Sequence, residues 1–257
     1  MRLALSPDGH AFSSPTILPT PANFAEALTV MRALAGEQKL AVVAGGIAGT
    51  WDAALARLTN SPHLPGWVGV PIKEQLAAAF NCPVFVENDT ALVGLGEAQT
   101  YRDQIVAYLT ISTGVGGARI VNGRIDEHTH SFEPGRQIID YHQPTKHFED
   151  YISGAAVLAA TGRSPKEVTD QAFWQDLSKI AAVGIYNTAL EWTPEIIILG
   201  GGMMGSPGLD LETIKSEFAR LAADLPVLPE IRRATLGDLG GLHGALVYLK
   251  QKSSQLN

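Results

Sequence analysis

Between residues 84 and 149 the chain reads VFVENDTALVGLGEA, then IVAYLTISTGVGGARIVNG, then FEPGR and FEDYISG. Asp89 follows the apolar run Val84-Phe85-Val86 and precedes a helical pattern. Its carboxylate therefore falls at the carboxyl end of a strand, where α/β folds place ligands. A carboxylate there can accept the proton of an attacking hydroxyl. Taken alone, Asn-Asp-Thr more often marks an ordinary helix cap. Asn88 either hydrogen-bonds a polyol or closes an Asx turn.

Three further groups have chemical potential. In Ser112-Thr113-Gly114-Val115-Gly116-Gly117 the glycines let backbone amides approach a polyphosphate, and two hydroxyls stand ready to bond phosphate oxygens. A Gly-rich hairpin without a phosphate is also common. The strand Ile196-Ile197-Ile198-Leu199 runs into Gly200-Gly201-Gly202, either a flat backbone surface for a base and ribose or a tight strand-to-helix turn. Glu133, Arg136 and Glu149 offer carboxylate and guanidinium partners for sugar hydroxyls. As isolated residues, such charges are more often solvated surface groups.

The elements that must hold these groups alternate between strand and helix, which indicates α/β architecture with a mixed sheet. Apolar residues at helical spacing (Phe24, Leu28, Met31, Leu34) predict a helix over 22–35, and further helices are expected over 71–80 and 90–98. Residues 40–43 and 83–86 read as buried strands. A new sheet starts near residue 104, with two strands around STGVGG and a turn at Asn122-Gly123. Helices are expected over 148–160, 172–191, 209–221 and 241–250, with strands over 195–199 and 232–236. The reading places a domain boundary near 104: residues 1–104, then 105–257, with a closing helix near 241–253 that packs back on the first part.

Composition narrows the classes. The 257 residues are 46% hydrophobic and 18% charged, normal for a folded soluble chain. The longest apolar runs fall far short of the about 20 residues a membrane span needs, and the N-terminus has no secretory pattern. A net charge of −7 without a Lys/Arg cluster argues against nucleic acid as a partner. Cys82 is the only cysteine, which excludes an internal disulfide and a Cys-rich zinc site. These features point to a cytoplasmic globular protein.

Taken in order, HLPGWVGVPI, VFVENDTALVGLGEA, LTISTGVGGARIVNG, FEPGR, FEDYISGAAV and IIILGGG resemble the ROK family of repressors, open reading frames and sugar kinases over nearly the whole chain. The resemblance implies an actin/hexokinase-like (ribonuclease-H-like) fold, two α/β domains around a central cleft for sugar and ATP. It implies Asp89 as catalytic base, Asn88, Gly49, Glu133, Arg136 and Glu149 on the sugar, and Ser112, Thr113, Gly114, Gly116 and Gly117 on the ATP phosphates. Gly200, Gly201 and Gly202 would line the adenosine pocket. It also implies Mg²⁺ with the ATP and a homodimer. The expected activity is phosphorylation of glucose or a related hexose. The alternative is a sugar-binding sensor or pseudokinase without catalysis.

The chain departs from the family pattern at three places. Family kinases open with a strand and a D-[IL]-G-G-T-K phosphate loop, and MRLALSPDG matches the segment just after it. The first strand and loop are therefore expected to be missing, through a start assigned too late or a truncated chain rather than a native loss. Arg136 replaces the His of E-P-G-H, and none of the cysteines of the zinc loop is present, so no structural zinc is expected. His128, His130, His142 and His147 fit no standard metal spacing and read as solvated loop residues. His63 stands where the family usually has Asn before LPGW. A family repressor is disfavoured because the chain has no room for a helix-turn-helix and no basic face.

Overall fold

Asn23 opens the first long helix: its side chain accepts the Glu26 amide at 3.0 Å, and Gly36, at φ +58°, ends it. The computed structural model describes residues 1–52, 57–126 and 130–253. His128, one of the loop histidines considered above, lies outside them.

One unit comprises Met1–Gly96, Glu127–Ser131 and Asp238–Asn257. It begins with β1 (Arg2–Leu3) and β2 (Thr16–Ile17), a small antiparallel ribbon, followed by α1 (Phe24–Ala35). β3 (Val43–Ile47) comes next, then β4 (Thr50–Asp52) and β5 (Arg57–Asn60), an antiparallel pair that the apolar pattern had not revealed. α2 (Ile72–Phe80), β6 (Val84–Asn88) and α3 (Asp89–Glu97) complete this stretch. β3 and β6 run parallel, with Gly46 opposite Glu87 and Ile47 opposite Asn88. The strand expected over 40–43 thus lies further along and continues through Gly45-Gly46. Ladder bonds come from the backbone, so glycine can make them although it brings no side chain to the face of the sheet. Phe24, Ala27, Leu58, Trp67, Ile72, Leu76 and Val86 form the core of this unit.

The other unit comprises Glu97–Asp126 and Phe132–Gly237. Its strands are β7 (Ile105–Ile111), β8 (Val115–Val121) and β9 (Arg124–Ile125). Then come α4 (Glu149–Ile152), α5 (Gly154–Thr161), α6 (Gln171–Trp192), β10 (Ile196–Gly200), α7 (Leu211–Leu221) and β11 (Glu230–Arg233). The sheet order is β11-β10-β7-β8-β9, parallel among β11, β10 and β7 and antiparallel from β7 onward. β10 is buried at every position, as a central strand covered on both faces must be. Leu177, Ala181, Ile185 and Trp192 form the buried stripe of α6 and join Leu109, Ile197, Ile214 and Phe218 in one core. The single helix expected over 148–160 is two. Ser153 takes extended angles between them, and its hydroxyl caps α5 by accepting the Ala156 amide.

The last element, α8 (Gly240–Ser253), belongs to the first unit. Gly244 packs on α3, where a β-carbon would lie 1.7 Å from the Leu92 carbonyl oxygen. Among the described residues no helix is long and apolar enough to cross a membrane.

Candidate active site

Each unit contains parallel strands, and Asn88, Asp89, Ser112, Thr113, Gly201 and Gly202 lie at or just beyond their carboxyl ends. In the first unit β6 delivers Glu87, Asn88 and Asp89 beside the β3 end that leads to Gly49. The Asn88 amide group is engaged at both ends. Its Oδ1 accepts the Ala91 N–H at 3.1 Å, and its Nδ2 donates to the Gly49 carbonyl at 3.2 Å. Asn88, not Asp89, therefore caps the first turn of α3. Asp89 Oδ1 accepts the adjacent Thr90 amide, at 2.9 Å. Burial raises the Asp89 carboxyl above its ordinary value, against the opposing pull of the Thr90 N–H and the His63 charge.

Two glycines shape this part of the site. A β-carbon on Gly46 would lie 2.8 Å from the Asp89 α-carbon, so only glycine lets the two strand ends approach this closely. Gly49 has φ +134°, and a β-carbon there would lie 2.5 Å from the Asn60 carbonyl oxygen. It acts through its own carbonyl, which holds Asn88.

In the second unit β7 and β10 run parallel with Thr110 opposite Gly200, so the turn after β7 and the turn after β10 lie side by side. The first carries Ser112, Thr113 and Gly114; the second carries Gly201 and Gly202. Ser112, Thr113, Gly201 and Gly202 are exposed there. A β-carbon on Gly202 would find Ser112 Oγ at 4.0 Å, and one on Gly201, at φ +92°, would collide with the Ile111 carbonyl oxygen at 2.2 Å.

Gly116 and Gly117 stand inside β8, not in the turn. Gly117 is buried, and a β-carbon on it would meet Pro134 at 2.7 Å and Trp192 at 2.9 Å, which makes it a packing glycine. Gly200 packs similarly: a β-carbon on it would lie 2.5 Å from the Tyr108 hydroxyl oxygen.

The FEPGR and FEDYISG segments close around the same turn. Glu149 Oε2 accepts the Val115 amide at 3.1 Å. The first amides of α5 also bind the turn, Gly154 N–H to Ser112 O at 2.7 Å and Ala155 N–H to Thr113 O at 3.3 Å. Gly135 lies so close to β8 that a β-carbon would sit 2.3 Å from the Val115 carbonyl oxygen. Glu133 and Arg136 flank it and are exposed.

The remaining histidines of the 126–147 stretch make local contacts. His130 Nδ1 lies 2.9 Å from Ser131 O, the His142 amide donates to Asp140, and His147 Nδ1 lies 3.6 Å from Asp150. Among the described residues no group of three or more His, Cys, Asp or Glu side chains is disposed to hold a metal ion.

Two acidic residues escaped the reading of the sequence. Glu87 accepts the Asn88 amide at 2.8 Å and the Tyr248 hydroxyl of α8 at 3.4 Å. Burial and the Glu87 charge push the Tyr248 hydroxyl well above its ordinary value. Glu97, only 6% exposed, binds the Thr235 amide and hydroxyl and the Leu236 amide at 2.7–3.1 Å. Both stand within VFVENDTALVGLGEA, but Tyr248 and Thr235 lie about 140–160 residues further along, beyond what local pattern reveals.

The chain resembles solved structures over nearly its whole length. One is a ROK family protein from Streptococcus pneumoniae TIGR4 in complex with sucrose, with TM-score 0.84, 23% identity, and coverage of 99% of this chain and 95% of that one. Another is a ROK family glucokinase from Streptomyces griseus in complex with glucose and AMPPNP, with TM-score 0.77, 22% identity, and coverage of 97% and 95%. The protein thus has the actin/hexokinase-like α/β fold of these structures. A fructokinase from Lactococcus lactis subsp. cremoris is 30% identical over 206 residues, 70% of this chain and 70% of that protein. The model of the ROK family matches residues 17–252, and the chain belongs to that family.

Proposed function

We propose that this protein transfers the γ-phosphoryl group of ATP to a hydroxyl of a hexose, with Asp89 as the general base. The observation that carries this reading is Asp89 itself: a desolvated carboxyl at a strand's carboxyl end, with the helix-capping role taken by Asn88. The family's named sugar kinases, including the fructokinase and glucokinase described above, support it.

In the proposed reaction the sugar hydroxyl oxygen attacks the γ-phosphorus while its proton passes to Asp89. The bond to the β,γ-bridging oxygen breaks, and ADP leaves. Such a transfer needs positioning and charge stabilisation more than covalent chemistry. Asn88, Glu133, Arg136 and Glu149 orient the sugar, and the Gly49 carbonyl keeps Asn88 in place. Ser112, Thr113, Gly114 and Gly116 hold the phosphates, and the exposed Gly201 and Gly202, with Gly200 behind them, receive the adenosine. The donor set of this turn fits a polyphosphate: two exposed hydroxyls and a glycine backbone at the end of a parallel pair. Mg²⁺ would come with the ATP phosphates that Ser112 and Thr113 hold and would supply charge neutralisation there. Gly117, buried under Pro134 and Trp192, keeps β8 in position rather than touching phosphate.

The acidic net charge of −7 supports small-molecule rather than nucleic-acid partners, and membership of the family supports a cytoplasmic homodimer. An ADP-coupled assay across glucose, fructose, mannose and N-acetylglucosamine tests the activity. Turnover of at least one sugar is expected, and Asp89→Asn should lower it by about 10²–10⁴. Equal turnover by variant and wild type would end the case for this base. Sugar binding without turnover of any hexose would favour the non-catalytic alternative.

A further inference from the structure

We infer that Glu149 is a positioning residue that couples sugar binding to the geometry of the phosphate turn. This rests on the kinase reading above and adds to it. Three motifs converge on this carboxylate. Oε2 accepts the Val115 N–H at 3.1 Å. Oε2 also lies 2.8 Å from where a β-carbon of Gly114 would stand and 3.2 Å from that of Gly135. The glycines of STGVGG and FEPGR thus leave room for one carboxylate oxygen contributed by FEDYISG.

The rest of that segment is committed to the same turn. Gly154 and Ala155, the first residues of α5, donate their amides to Ser112 and Thr113. Glu149 opens α4, and the two helices are joined directly at Ser153. A shift of Glu149 therefore reaches the turn by two routes, its own hydrogen bond and the α5 amides. A sugar hydroxyl donating to the carboxylate fixes the side chain and, with it, the Val115 amide and the backbone at Gly114. The nucleotide then meets a turn already in its binding geometry, which lowers the ordering cost of the second ligand and gives positive cooperativity.

The test is calorimetric titration of AMPPNP into the full chain, with and without saturating D-glucose or D-fructose. It uses wild type, Glu149→Ala, Glu149→Gln and Gly114→Ala. In wild type the sugar is expected to tighten AMPPNP by about 10-fold, within the usual range of coupling between sites. The ratio should fall below about 2-fold in Glu149→Ala and in Gly114→Ala, whose added carbon displaces Oε2 without removing the sugar ligand. Glu149→Gln, whose carbonyl still accepts the Val115 amide, should retain coupling. Amide exchange over residues 112–118 gives a readout that needs no ligand: it should speed up in Glu149→Ala and stay near wild type in Glu149→Gln. Undiminished coupling in Glu149→Ala, or unchanged exchange in that variant, would overturn the inference. If wild type binds neither AMPPNP nor sugar, the kinase reading falls and the coupling with it, and the exchange measurement still decides whether Glu149 braces the turn.

Discussion

At the scale of single residues, the proposed chemistry depends on the proton of Asp89. A base must be ionised, so the raised carboxyl displaces the acidic limb of the pH–rate profile upward from the ordinary 3.8. The same shift affects stability. The folded chain keeps this proton at pH values where the unfolded chain has released it. Stability is therefore lost as pH rises from the ordinary carboxylate value through the raised one, and the penalty is complete above it. Asp89→Asn removes the charge and the penalty together. At pH 7 it should melt at or above the wild-type temperature by calorimetry, while kcat falls by about 10²–10⁴. A variant that melts well below wild type would show that the carboxylate stabilises the fold, contrary to this account.

At the scale of elements, close backbone approach and buried hydrogen bonding hold the turns in place. Gly201 combines φ +92° with the Ile111 carbonyl oxygen 2.2 Å from a would-be β-carbon. Neither the dihedral angle nor the contact can relax without separating β10 from β7. Gly201→Ala should cost about 3 kcal/mol or more in urea unfolding. Glu97 works differently, by satisfying the Thr235 and Leu236 amides between β11 and the start of α8. Truncation in Glu97→Ala leaves these donors unpaired and should cost about 3 kcal/mol. Glu97→Gln keeps one acceptor and should lose less. A cost below about 1 kcal/mol for Glu97→Ala would mean water replaces the carboxylate there.

At the scale of the whole molecule, net charge supports the proposed small-molecule partners. A net charge of −7 repels a phosphate backbone. No complex with duplex DNA should form in a mobility-shift assay at about 10 μM protein, a concentration at which non-specific nucleic-acid binders already associate. Sedimentation equilibrium tests the proposed homodimer and should return twice the 27.3 kDa of one chain. A molar mass of a single chain at about 50 μM would refute the dimer, because stable symmetric interfaces hold well below that concentration.

Some of this was legible in the residues alone. Apolar periodicity located α6 to within one residue at each end, because a long helix carries a repeated buried stripe. The ordered glycine and carboxylate motifs implied the actin/hexokinase-like fold and the family, which the comparisons bear out. Local pattern failed where the deciding interaction was short or distant. The β4–β5 pair is too brief for a period, and the break at Ser153 is a cap hidden inside an apolar run. Sequence by itself determined which residue types stood where chemistry was possible. Tertiary structure alone decided that Asn88 is the cap, that Gly117 is buried by packing, and that Glu149 meets the Val115 amide. The last two depend on contacts between segments far apart in the chain, and the first on which of two adjacent side chains turns toward the Ala91 amide; no periodicity in a linear sequence encodes either.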